Sequence, residues 1–313
     1  MGTPPFAPPG APLPFPRALL HVTGRERIKI WVQGARPRTL GAAVSPVLVG
    51  TAVAALYGDV VVWRALLALM VALALQVGVN YANDYSDGVR GVDVRRKGPV
   101  RLTASGLAAP GQVKTAAVLA FAVGAAAGAV LAVAVDLRLL LVGAAAVAAG
   151  ALYSGGPRPY ASAGLGELSV LVFFGLVATC GSAYVQLERV PALAVAGALA
   201  VGLLACAILL VNNLRDVDSD AASGKRTLAV RVGAERARRL YLASVAGGLA
   251  AGAAMAVAAP GALLGLAAVP LAVKPLRLVA HHRDAPSLVA ALVATARLQL
   301  VFSSLVALGL WAS

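Results

Sequence analysis

The chain has 313 residues, of which 60% are hydrophobic and only 13% charged, and its mean hydropathy is +0.84. A soluble domain carries about 25% charged residues, so this composition excludes both a disordered chain and an ordinary soluble one, and its repeated runs of about 20 nearly uncharged residues have the length that a bilayer span needs. The net charge of +14, from 27 Lys and Arg against 13 Asp and Glu, reads in a membrane protein as a statement of orientation and not of a nucleic-acid partner.

Residues 1–16 hold seven prolines and no charge, a composition that neither continues a helix nor buries a core. A basic stretch follows, with Arg17, Arg25, Arg27, Lys29, Arg36 and Arg38. Residues 1–30 are therefore expected to form a flexible Pro-rich and basic tail in the cytoplasm, and residues 31–313 the membrane domain. The start lacks a basic region followed by an uninterrupted apolar segment, so no signal peptide is expected.

Apolar length and the breaks between apolar runs predict nine helical spans, at about 39–57, 61–82, 113–135, 138–154, 167–187, 191–212, 240–258, 261–279 and 287–311. The fold class is thus an all-α polytopic bundle. With the N-terminus inside, 23 of the 27 Lys and Arg fall in cytoplasmic segments, which is the bias that sets orientation. Arg64, Arg138 and Arg189 fall outside, beside Asp59, Asp136 and Glu188. Arg297 lies within the ninth span, where it is expected to reach a neighbouring helix or a wet cavity, with a substrate contact as the lesser alternative. Gly and Ala runs such as AVGAAAGAVLAVAV favour close helix approach. Cys180 and Cys206 sit in apolar runs and read as small core residues, and His281 and His282 as a solvated loop.

Six of the 13 acidic residues sit in two short segments, NYANDYSDGVRGVD (80–93) after the second span and NNLRDVDSDAASGKRT (212–227) after the sixth. Setting Asn83 against Asn212 pairs Asp84 with Asn213, Asp87 with Asp216 and Gly91 with Asp220, an offset of 129 residues. The two halves read as copies of one four-helix unit, with a ninth span added. Positions i, i+4 and i+8 of a helix differ by only about 40° each, so Asn83, Asp87 and Gly91 are expected on one face, and Asn212, Asp216 and Asp220 on another. Carboxylates stacked this way at a membrane helix end repel one another unless a cation bridges them. Hard oxygen donors select Mg²⁺, Mn²⁺ or Ca²⁺, and Mg²⁺ commonly shares its shell with substrate phosphate oxygens. The expected ligand is a diphosphate. Lys225, Arg226, Arg90, Lys97 and Arg101 lie in the same loops and are candidates to neutralise it, whereas Asp218 and Asp93 fall off the stripes.

At these residues the sequence resembles the UbiA superfamily of intramembrane prenyltransferases. That family's NDxxDxxxD motif appears as Asn83, Asp84 and Asp87 with Gly91 in the last place, and its DxxxD motif as Asp216 and Asp220. Asp93 is a possible substitute for the acid missing at Gly91. RPRTLGAAVSPVLVGTA (36–52), GPVRLTASG (98–106), GGPRPYASAGLGE (155–167) and NNLRDVDSDAASGKRTLAVRVG (212–233) are similar to the menaquinone-pathway branch, whose members act on 1,4-dihydroxy-2-naphthoate. The resemblance implies nine spans around a central cavity, Mg²⁺ held by Asn83, Asp87, Asp216 and Asp220, a polyprenyl diphosphate donor and a bacterial cytoplasmic membrane setting. It further implies that Tyr153 and Ser154 lie near the reacting carbons and that Arg36 or Arg38 touches the diphosphate. Asn83, Asp84, Asn212, Lys97, Arg101, Lys225 and Arg226 are the expected substrate contacts, and Asp87, Asp216, Asp220, Tyr153 and Ser154 the catalytic set.

The implied reaction is prenyl transfer with loss of CO₂, giving demethylmenaquinone. Other acceptors, 4-hydroxybenzoate or homogentisate, are the rivals inside the family. A cation-coupled transporter is a weaker alternative, because four-span repeats have equal orientation and place both clusters on one side, whereas inverted repeats underlie many alternating-access folds. A CDP-alcohol phosphatidyltransferase would carry its acids in one contiguous motif.

Overall fold

A computed structural model describes residues 24–91 and 101–313; Asp93 and Lys97 lie outside them. Every regular element among the described residues is helical. Helix α1 (Gly24–Ala35) leads through a turn at Pro37–Thr39 into α2 (Gly41–Ala55), followed by α3 (Val62–Val89), α4 (Pro110–Ala134) and α5 (Leu139–Ser154). The second half comprises α6 (Gly166–Leu187), α7 (Ala192–Ala222), the short α8 (Leu228–Val232), α9 (Ala234–Val257), α10 (Pro260–His281) and α11 (Ala285–Trp311).

Seven of these helices, α3, α4, α6, α7, α9, α10 and α11, are long and apolar enough to cross a bilayer, and α2 becomes an eighth together with the α1 segment, from which it is bent by 51°. At 16 residues α5 is shorter, about 24 Å at 1.5 Å per residue. All nine stretches expected as spans are thus helical, and the count of about nine is approximate because two of them fall short of a bilayer by themselves. α1 begins inside the stretch assigned to the tail. Its Trp31 carbonyl accepts the Tyr81 hydroxyl at 2.7 Å, and its Ala35 carbonyl accepts the Asn80 amide at 2.9 Å. Trp31 also meets Tyr81 edge to face. The basic residues Arg25, Arg27 and Lys29 therefore share a helix with an apolar side, Ile30, Trp31 and Ala35, that packs against Tyr81 of α3.

The repeat is visible in the element order. Adding 129 to Val62 and to Leu139 gives 191 and 268, one residue short of Ala192 and Val269, where α7 and the α-helical part of α10 begin. Helices α2 and α6 cross where Gly50 meets Thr179, and 50 and 179 are themselves related by that offset. A Cβ on Gly50 would stand 2.2 Å from the Thr179 carbonyl oxygen. The two repeats therefore meet at equivalent residues, as a two-fold-related pair does, and only glycine permits the approach. α7 is the central helix: Ala194, Val201, Leu204 and Val211 are buried in the core that it forms with α2, α9 and α11. Even spans in each unit bring the ends of α3 and α7 to the same side of the bundle.

Arg297 departs from its expectation. It is exposed on the outward stripe of α11, without a hydrogen-bond partner or ion pair among the described residues, because Thr295, Leu298 and Phe302 take the inward side. Cys180 and Cys206 are free cysteines, the Cys206 thiol donating to the Glu167 carbonyl at 3.2 Å, and His281 and His282 are exposed.

Candidate active site

α3 and α7 deliver both acidic segments to one cavity of ≈ 370 Å³, lined at its charged end by Asn83, Asp87, Asn212, Asp216 and Asp220. The carboxylates of Asp87, Asp216 and Asp220 are buried. Burying three acids in an apolar bundle demands countercharge, and it comes from two loop cations and from Arg215 on α7 itself. The Lys225 ammonium donates to Asp87 at 2.7 Å across the two repeats, and an Arg101 nitrogen stands 3.9 Å from the other Asp87 oxygen. Arg215 grips its neighbour Asp216 with two bonds of 2.8 and 2.6 Å. Arg36 also lines the cavity, whereas Arg38 is exposed. The Arg36 backbone is left-handed, with φ 57°, and its Nη2 is buried without a partner, so of the two arginines it is the one held ready at the cavity.

Several expected residues lie elsewhere. Asp84 does not line the cavity; both its oxygens accept backbone N–H groups, from Leu102 at 2.8 Å and Thr103 at 2.9 Å. It clamps the loop that carries Arg101, because a buried carboxylate takes the nearest donors. Gly91 is not on the Asn83–Asp87 face: α3 ends at Val89, and Gly91 has φ +70° in the following turn. The equivalent Asp220 stays helical, because α7 runs on to Ala222. Arg226 is exposed and away from the cavity, its backbone N–H donating to Ser162. Asp218 is exposed.

Tyr153 and Ser154 close the C-terminal end of α5 and line the same cavity. The Ser154 hydroxyl donates to Asn83 Oδ1 at 2.5 Å, while the Ser154 carbonyl accepts Ser86 at 2.5 Å, so α5 is tied to α3 beside the acidic stripe. The Tyr153 ring stands edge-on to Tyr160, and Tyr160 is fixed by the Ala149 carbonyl at 2.8 Å and Ser169 at 3.0 Å. Below this polar head the walls are apolar: Val47, Leu75, Val142, Phe173, Phe174 and Val177 among others. Lining residues on α6 run from Ser169 to Val185 through the π-helical stretch Leu171–Val177, a depth somewhat under the ~24 Å that an unbroken α-helix of that length would span. The far end is sealed by Arg64 donating to the Val185 carbonyl at 3.0 Å and Gln186 accepting from Val61 at 2.8 Å.

Two polar residues at the head were given no site role by the motifs, although Asn213 stands in the second of them as the counterpart of Asp84. Asn213 lines the cavity, and its amide donates to Glu167 at 2.9 Å. Glu167 is the sole acid between Asp136 and Glu188, and that isolation at the mouth of an apolar span is the signal that could have marked it.

An apolar-walled cavity headed by oxygen donors and cations has the shape and polarity that suit an amphiphile with an anionic head. The family model of the UbiA prenyltransferase family matches residues 43–311, and the chain belongs to that family. It is 50% identical over 279 residues to the 1,4-dihydroxy-2-naphthoate octaprenyltransferase of Mycobacterium tuberculosis, covering 88% of this chain and 95% of that one. It is 38% identical over 298 residues to the enzyme of the same name from Escherichia coli, covering 92% and 96%. Among solved structures, a UbiA homolog from Archaeoglobus fulgidus bound to DMAPP and Mg²⁺ superposes with a TM-score of 0.63 at 17% identity, covering 90% and 99% of the two chains, which shows the shared fold.

Proposed function

We propose that the protein transfers a polyprenyl group from polyprenyl diphosphate to 1,4-dihydroxy-2-naphthoate with loss of CO₂, and that it does so in a bacterial cytoplasmic membrane with its acidic clusters on the cytoplasmic side. The observation that carries this reading is the continuity of one cavity from Asp87, Asp216 and Lys225 at its head to the apolar walls of α3, α5 and α6. A charged head and a long hydrocarbon tail fit it together. The names of relatives at up to 50% identity supply the acceptor, and the concentration of Lys and Arg on the side of the clusters supplies the orientation.

The donor set fits Mg²⁺. Asn83, Asp87, Asp216 and Asp220 offer only oxygen, and no three His, Cys, Asp or Glu side chains among the described residues stand close enough to hold an ion by themselves. Diphosphate oxygens would therefore complete the shell, as Mg²⁺ favours. Bound there, Mg²⁺ supplies charge neutralisation for the leaving diphosphate.

The chain's own residues do the rest. Lys225, Arg101 and Arg36 meet the negative charge that grows on the diphosphate as the allylic C–O bond breaks and its electron pair departs with oxygen. The apolar wall around Phe173, Phe174 and Val177 keeps water from the allylic cation. Tyr153 and Ser154 flank the position where the ring carbon bearing the carboxylate forms the new C–C bond. The C–CO₂ bond then breaks and returns its pair to the ring, leaving the quinol form of demethylmenaquinone.

The test uses purified protein and radiolabelled prenyl diphosphate, with 1,4-dihydroxy-2-naphthoate and 4-hydroxybenzoate offered separately, with and without EDTA. Label is expected in the naphthoate product alone, lost with EDTA and restored by Mg²⁺. Equal labelling of 4-hydroxybenzoate would overturn the acceptor, and absence of any transfer the whole reading.

A further inference from the structure

We infer that Asn213, held by the buried carboxylate of Glu167, is the polar contact that recognises a ring hydroxyl of the aromatic acceptor. This inference rests on the proposed prenyl transfer and deepens it by assigning the acceptor's side of the cavity.

Glu167 is about nine-tenths buried at the start of α6, and Asn213 equally so on α7. Glu167 Oε1 accepts from Asn213 Nδ2 at 2.9 Å. With Nδ2 directed at Glu167 Oε1, the amide turns its Oδ1 away from that carboxyl group. Asn213 lines the cavity, and its Oδ1 makes no hydrogen bond to the described residues and is not among the sealed polar atoms. Tyr153 is in the same state, lining the cavity with a hydroxyl that has no partner among the described residues. A Cβ placed on Gly166 would lie 3.3 Å from that hydroxyl and 3.2 Å from Leu209, one turn before Asn213. Both unspent polar atoms therefore rest on the Gly166–Glu167 corner.

An amide oxygen at the cavity head is an acceptor only, so it repels diphosphate oxygens and attracts a donor. Prenyl chains carry no donor, whereas the phenolic hydroxyls of a dihydroxynaphthoate do, and a site built to bond a substrate hydroxyl discriminates against its absence. The repeat sharpens the point. Asp84, the counterpart of Asn213, faces away and spends both oxygens on Leu102 and Thr103. Of this pair, only the second half's member offers its oxygen to the cavity, which makes the cavity one-sided for the acceptor. Glu167 is a positioning residue here, acting through Asn213.

Steady-state kinetics of the purified full-length protein, varying each substrate while the other saturates, test this. Asn213→Ala is expected to raise the acceptor KM about tenfold and to leave the donor KM within twofold of wild type. Glu167→Leu is expected to reproduce that split, and Glu167→Gln, which keeps an acceptor oxygen for Nδ2, to recover at least half of the lost factor. 2-Naphthoates bearing a single hydroxyl at position 1 or at position 4, used as competitive inhibitors, complete a cycle: one of the two should lose no further affinity on Asn213→Ala, because it lacks the hydroxyl that Asn213 reads. Asn213→Ser gives the same comparison if the Ala variant does not fold. An unchanged acceptor KM, or a donor KM that rises equally, overturns the inference while wild-type turnover stands. Absence of wild-type turnover with the naphthoate would instead overturn the proposed function beneath it.

Discussion

The Lys225 ammonium donates to the Asp87 carboxylate across 2.7 Å although 138 residues separate the two. The bond joins the loop after α7 to the end of α3, so each repeat neutralises an acid or cation of the other. Both partners line the cavity head. Asp87→Ala and Asp216→Ala are expected to lower transfer at least about hundredfold while the protein still inserts and runs as a single species in gel filtration. Lys225→Met is expected to follow them, with Lys225→Arg retaining more activity because it keeps the charge. Near-normal rates in Mg²⁺-supplied variants would remove these residues from the site.

Asp84 belongs to the family motif but holds a loop. Asp84→Ala removes two charge-assisted bonds to the Leu102 and Thr103 amides, a loss of about 3 kcal/mol. The expected signature is faster hydrogen exchange at those two amides together with a lower unfolding temperature. Asp84→Asn, with one carbonyl oxygen, should show about half the loss. Unchanged exchange at 102 and 103 would reject the clamp.

Gly50 decides a sign. Helix propensity favours Ala over Gly by about 1 kcal/mol, but a Cβ at position 50 would stand 2.2 Å from the Thr179 carbonyl and 2.8 Å from the Ser182 Cβ. Overpacking of that kind costs about 1–3 kcal/mol, and at a backbone carbonyl it has no flexible atom to push aside. Gly50→Ala is therefore expected to lower thermal stability in detergent and Gly50→Val to lower it further. A gain in melting temperature for Gly50→Ala would show that α2 and α6 can separate.

At the far side of the bundle Asp136 connects the α4–α5 turn to α6. The Tyr184 hydroxyl, donating at 2.5 Å, holds the Asp136 carboxyl below the usual carboxylate range, with the Arg138 backbone N–H assisting. A carboxyl whose folded pKa is depressed adds stability above its unfolded value, about 3.9, and loses that contribution as pH falls through the folded value. The difference in melting temperature between wild type and Asp136→Asn should be constant near neutral pH and shrink below about pH 4. A difference that grows on acidification would reverse the assignment.

By itself the amino-acid sequence determined the helical class, the places of all nine apolar stretches, the duplication and the meeting of both acidic clusters on one side. Those features depend on hydropathy, bilayer thickness and the parity of spans, each of which is local or additive along the chain. Only the tertiary structure decided which members of the motifs face the cavity. Asp84 turns to the backbone of Leu102 while its counterpart Asn213 opens inward; Gly91 leaves the helix that Asp220 keeps; Arg36 lines the cavity and Arg38 does not; Arg226 stays outside where Lys225 enters. Each of these outcomes turns on where a short side chain finds a partner or on how a helix ends. Partners such as Lys225 for Asp87 and Glu167 for Asn213 are 138 and 46 residues away, beyond the reach of any periodicity read along the chain.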